Sequence, residues 1–121
     1  MQQENNLSKD DAIFFMDMVG SVKSPNFETR MNGVKPYYKI IKERDSNKFR
    51  RFIRIYIALR HILSEREQVV LNELYGLIKE GSQLKTVGAL LNITPERVRQ
   101  IRNQAERKIV REVLRVVKVS N

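Results

Sequence analysis

Residues 83–108, QLKTVGALLNITPERVRQIRNQAERK, constrain the fold of this chain more than any other stretch. Leu84, Val87, Leu90 and Leu91 recur at helical spacing and define one apolar face, and Val98, Ile101, Ala105 and Ile109 repeat the pattern after a break. The break is a helix start. Thr94 offers a side-chain oxygen to a free N–H of the first turn, and Pro95 suits the first helical position, where a missing donor costs nothing. Ile93 falls in the turn, where an apolar side chain plugs the gap between two helices. The two apolar faces must meet, so the far side of the second helix is left free.

Stepped at about 100° per residue, Glu96, Gln100, Asn103 and Arg107 point away from Val98 and Ile101, with Arg97, Arg99 and Gln104 on the flanks. Arg, Gln and Asn form paired hydrogen bonds with base edges in the major groove, and Glu accepts from cytosine. A helix-turn-helix presents such a face near the start of its second helix. The plain alternative is a solvated polar face on an ordinary helical hairpin. Turn chemistry and residue types agree here, and together they favour the DNA-facing reading.

The segment LSEREQVVLNELYG at 63–76, followed by LKTVGALLNITPERVRQIRNQAERK at 84–108, resembles the C-terminal domain, region 4, of bacterial sigma-70 family factors. The resemblance rests on Leu63, Arg66-Glu67, Val70-Leu71, Tyr75-Gly76, Val87-Gly88, Thr94, the run from Glu96 through Arg99 and Gln100 to Ile101, then Ala105 and Arg107-Lys108, in spacing as well as identity. It implies a domain that reads the −35 promoter element with its second helix and docks on the flap of RNA polymerase. The family usually has a base-contacting arginine between the capping threonine and the glutamate. This chain has Pro95 there, which offers no donor, so the resemblance implies reduced or altered base preference. Glu96, Arg99 and Gln100 match positions that touch DNA in the family. With their neighbours they give a candidate DNA-binding set of Thr94, Glu96, Arg97, Arg99, Gln100, Asn103, Gln104, Arg107 and Arg111.

A length of 121 residues suits one domain or a small domain with an appendage. There is no cysteine, which excludes disulfides and thiolate metal sites and makes a reducing cytoplasm the expected setting. No apolar run reaches the length of a membrane span, and the polar opening MQQENNLSKDD does not read as a signal peptide. The net charge of +9 points to a polyanionic partner. Its placement is uneven: residues 1–43 balance six basic against six acidic side chains, residues 44–63 carry six against one, and residues 64–121 eleven against seven. The basic character begins at Arg44, in the part nearest the motif.

Earlier in the chain, Ser8 before Lys9-Asp10-Asp11 reads as a helix start. Ala12, Ile13, Phe14, Phe15, Met16, Met18 and Val19 then make a helix apolar almost all round, either core or a docking surface, with Gly20 at its end. Residues 21–36 read as a loop, with Ser24-Pro25-Asn26, Met31-Asn32-Gly33 and Pro36. A short helix is expected over 37–43, whose Tyr37 and Tyr38 either pack in the core or stack on single-stranded bases. Asp45 or Ser46 caps a helix over 48–62, with Phe49, Phe52, Ile53, Tyr56, Leu59 and Leu63 on one face and Lys48, Arg50, Arg51 and Arg54 off it. Those cations meet phosphates, a membrane surface or water; the membrane is the weakest of the three. Ser64 and Glu67 form a capping box for a helix reaching Glu80, with Val70, Leu71, Leu74, Leu77 and Ile78 buried and Gly81-Ser82 as its stop. Beyond Lys108, the apolar Val110, Val113, Leu114, Val116 and Val117 pack on the N-terminal half or pair with a second copy.

Catalysis has little footing. His61 is the lone histidine, no glycine-rich phosphate loop occurs, and no residues have metal-site spacing. Asp10, Asp11 and Asp17 share a helix, but the first two simply suit its N-terminus. The expected fold is all-α: a helical N-terminal segment over 1–43, then a basic helix and a sigma region 4-like helix-turn-helix domain over 44–121. Helices are expected near 9–20, 48–62, 65–80, 84–91 and 95–117. The expected function is a DNA-binding transcription protein without cofactors or a membrane role, with double-stranded DNA as partner and RNA polymerase core or a sigma factor as a second one. Nothing before the motif matches the region that melts the −10 element, so a complete sigma factor is not expected. A truncated or divergent sigma, a regulator that borrowed the domain, or a phage-type accessory factor fits better. The alternative is a protein-interaction module that binds polymerase or a sigma factor with little base reading; Pro95 and the apolar first helix favour it.

Overall fold

Most helices open where a short polar side chain meets a free backbone N–H. The computed structural model describes residues 6–29 and 34–117, and among these every regular element is helical. In α1 (Lys9–Val19), Ser8 Oγ accepts from the Asp11 N–H at 3.0 Å while the Asp11 carboxylate accepts from the Ser8 N–H at 3.2 Å. After the short α2 (Tyr37–Ile40), Ser46 caps α3 (Asn47–Leu59). Ser64 and Glu67 form the second capping box, on α4 (Glu65–Tyr75). No side chain caps α5 (Leu84–Leu91), whereas Thr94 caps α6 (Pro95–Val116) with Pro95 in first position.

Three boundaries differ from the periodicity. The helix expected over 48–62 stops at Leu59 and tightens into a 3-10 turn, Arg60–Ile62. The short helix expected over 37–43 is one turn, ending at Ile40. The helix expected to reach Glu80 ends at Tyr75, because Gly76 takes the left-handed conformation (φ 77°) and its N–H donates back to Asn72 O. Arg44 then fixes the turn, its Nη1 donating to Gly76 O at 2.6 Å and to Lys79 O at 2.9 Å. Leu77 is consequently half-buried and Ile78, expected in the core, is 96% exposed. The Met31-Asn32-Gly33 turn and the first five residues of the polar opening lie outside the described residues.

One core joins the N-terminal helices to the helix-turn-helix. Its centre is aromatic. Phe15 of α1 and Tyr37 of α2 stack on Phe52 of α3 at 5.3 and 5.6 Å, and Tyr75 of α4 meets Phe52, Tyr37 and Tyr56 edge-on. Each such pair contributes about 0.5–1.5 kcal/mol beyond its buried area. Tyr37 is therefore core rather than a stacking platform, while Tyr38 is half-buried. In α3 the fully buried isoleucine is Ile55, and Ile53 is only partly covered. The 22-residue α6 packs on α5, α4, α1 and α3, and its Val110, Val113 and Val117 end are buried against this N-terminal half. Among the described residues, no helix is long and apolar enough to cross a membrane.

Candidate nucleic-acid interface

The geometry of the interface starts in the turn. α5 ends at Leu91, Asn92 adopts the left-handed conformation (φ 59°) that Asn tolerates, and the Ile93 N–H donates to Gly88 O at 2.9 Å. Gly88 is a point of backbone contact: a methyl group there would lie 2.6 Å from Ile93 O and 3.3 Å from Pro95 N. Ile93 is half-buried in the turn. Val87, Val98, Ile101 and Ala105 close the angle between the two helices, but Leu90, expected on this face, is 61% exposed.

On the outer side of α6, Thr94, Glu96, Arg97, Arg99, Gln100, Gln104, Arg107 and Arg111 are all exposed. Thr94 Oγ1 accepts from the Arg97 N–H at 3.0 Å, so its oxygen serves the cap. Glu96 and Arg99 hold each other through two hydrogen bonds of 2.9 and 2.6 Å. That contact with the Arg99 guanidinium keeps the Glu96 carboxyl below the usual carboxylate range. Arg97 Nη1 donates to Gln100 Oε1 at 3.3 Å. These are solvent-exposed pairs on adjacent turns, screened by water, so they preorder the face without locking it. Among the described residues, Arg107 and Arg111 have no ion-pair partner.

Asn103 departs from the expected outward set. It is half-buried, and its Oδ1 accepts from Arg102 Nε at 3.1 Å. The periodicity also missed two charges on the inner side, Arg102 and Glu106, which are 5% and 2% exposed. Glu106 accepts from Lys35 Nζ at 2.7 Å and from the Tyr75 hydroxyl, and Lys35 also donates to Val19 O. Arg102 Nη1 donates to the Tyr38 hydroxyl at 2.8 Å. Burial, reinforced by Glu106, pushes the Tyr75 phenol well above its ordinary range. Sequence held one clue to this network: Arg102 and Glu106 sit four apart, beside the apolar Ile101–Ala105 stripe. Their partners, on distant segments, gave no local signal.

Other charges are committed elsewhere. Lys108 pairs with Glu67 at 2.8 Å, tying α6 to the start of α4. Asp11 accepts from Arg51 at 2.9 Å and Arg54 at 3.1 Å, so these two α3 arginines anchor α1, whereas Lys48 and Arg50 remain exposed. The three aspartates of α1 do not converge: Asp11 turns to α3, Asp17 accepts from Ser24 and Asn26, and Asp10 is exposed. His61 is exposed in the 3-10 turn. Among the described residues no three His, Cys, Asp or Glu side chains are grouped to hold a metal.

The family model described as Sigma-70, region 4 matches residues 61–111. The match opens in the 3-10 turn, takes in α4 and α5, and ends at Arg111 within α6; α1 to α3 lie before it. No curated protein and no solved structure matches the chain.

Proposed function

We propose that this chain, whose residues 61–111 form a sigma factor-like helix-turn-helix domain, is a DNA-binding transcription protein of the cytoplasm. It binds promoter-type duplex through the helix that starts at Pro95. The observation that carries this reading is the run of exposed Glu96, Arg97, Arg99, Gln100, Gln104 and Arg107 on the outer face of α6, within the matched span. Arg107 and Arg111 supply sequence-independent attraction to phosphates, while Glu96, Arg99 and Gln100 read base edges. Pro95 keeps the helix start but contributes no donor, so base preference is weaker than an arginine there would give.

A second reading has its own observation. Ile78 and Leu90 are large apolar side chains left in water, at 96% and 61% exposure, and both lie in the matched span. Exposed apolar side chains of this size favour contact with a protein partner, which by the family resemblance is RNA polymerase core or a sigma factor.

Fluorescence anisotropy on labelled duplexes tests the first reading. Affinity should fall steeply with salt as counterions are released, and Arg107→Ala or Arg111→Ala should weaken all sequences alike. Affinity that ignores salt would overturn DNA binding. Polymerase captured from a bacterial lysate equally well after nuclease treatment would favour the second reading.

A further inference from the structure

A groove of about 600 Å³ runs along the flank of α6 on the side facing the end of α1. One wall is the α6 stripe Arg99, Asn103, Arg107 and Arg111, spaced four apart so that they stand above one another on a single edge of the helix. The other wall is the turn over 20–23, set by the left-handed Gly20 cap (φ 72°) and ending in exposed Lys23. The one acid in the lining, Glu106, is buried and already held by Lys35 and Tyr75. Its charge is therefore answered inside the protein, and the groove presents a positive rim. Among the described residues, the Lys23 ammonium has no ion-pair partner, and neither do Arg107 and Arg111.

We propose that this groove holds the sugar-phosphate backbone of the bound duplex, with Lys23 closing on the strand from the side opposite α6. The inference rests on the DNA-binding reading above and adds a contact from outside the matched span. The stripe begins at Arg99, on the face that meets base edges, and continues to Arg111. A strand leaving the bases read by the start of a recognition helix runs along that helix flank. Lys23, Arg107 and Arg111 line the groove together, while the half-buried Leu114 offers apolar surface to a sugar face rather than to a base edge. The contact is with phosphate, so it strengthens binding without choosing sequence.

The test uses the full chain, a labelled duplex and a salt series, with Lys23→Glu set against Lys9→Glu. Lys9 is exposed at the other end of the 11-residue α1, about 15 Å away at 1.5 Å per residue, so it controls for net charge. Lys23→Glu should lower affinity for specific and scrambled duplexes by the same factor, about five- to tenfold, and reduce the log–log salt slope by about 0.9, one phosphate contact. Lys9→Glu should leave the slope unchanged, and circular dichroism should show both folded. Equal slopes and affinities for the two variants would overturn the clamp while leaving DNA binding intact, and would reassign the groove to a small anion or an acidic peptide. A parent that binds no duplex would overturn the DNA-binding reading, and the clamp with it.

Discussion

Glu96 and Arg99 face solvent as a pair, and the proposed DNA binding asks the pair to open. Its exposure keeps that cost small, which makes neighbouring position 95 the more decisive one for selectivity. Pro95 fits the first turn, where the lost N–H has no intrahelical partner. Pro95→Arg should therefore leave stability nearly unchanged while adding a donor to the groove-facing edge. A paired contact of that kind gives about 1–3 kcal/mol of discrimination, so competition between −35-like and scrambled duplexes should sharpen. Gln100→Ala should flatten whatever preference the parent has. On the inner side, Glu106 holds Lys35 and Tyr75 together. Glu106→Ala leaves the Tyr75 hydroxyl unpaired and the Lys35 charge with only Val19 O as acceptor, and should destabilise by about 3 kcal/mol in chemical denaturation, whereas Glu106→Gln keeps an acceptor for the Tyr75 hydroxyl and should cost less. The outward residues of α6 were legible in the sequence because a single helix sets its own periodicity. Arg102 and Glu106 were not, since their partners Tyr38 and Lys35 lie 64 and 71 residues away.

At the scale of elements, Gly88 decides how closely α5 and α6 approach. Alanine is the better helix former by about 1 kcal/mol, so propensity alone makes Gly88→Ala stabilising. The 2.6 Å approach of the added methyl to Ile93 O reverses that sign, because backbone rather than a flexible side chain would have to move. We expect Gly88→Ala to destabilise by about 1–3 kcal/mol and to lower duplex affinity by re-angling α6. Thermal melts and anisotropy together would check it. The starts of α1, α3, α4 and α6 were readable because capping is local: Ser8, Ser46, Ser64 and Thr94 each act within three residues. The end of α4 was not, since Arg44 grips Gly76 O from 32 residues away. Nor could periodicity choose Ile55 over Ile53 for the core, as both border the same stripe.

For the molecule as a whole, charged staples join helices that the aromatic core already holds. Burial by itself raises the carboxyls of Asp11 and Glu67. The hydrogen bonds from Ser8 N–H and Arg51 to Asp11, and from Lys108 and Ser64 N–H to Glu67, outweigh it and hold both below their ordinary range. A carboxyl lowered on folding stabilises above its unfolded pKa, and that contribution is lost as pH falls through the lower folded value. Burial acts in the same direction on the Tyr37, Tyr56 and Tyr75 phenols, and there it prevails, raising all three. Their contribution is present below about pH 10 and is lost as pH rises beyond it. Melting temperature should therefore hold a plateau between about pH 5 and 10 with respect to these groups. It should drop on the acid side, and Glu67→Gln should lower the plateau and make the acid limb shallower. The central claim, that the outer face of α6 meets duplex DNA, is tested most directly by nitrogen-15 NMR during titration with a promoter-type duplex. The side-chain signals of Arg97, Arg99, Gln100, Gln104 and Arg107 should shift and broaden together, and recover as salt is added. Shifts confined to the surroundings of Ile78 and Leu90, with the α6 side chains unmoved, would contradict the account.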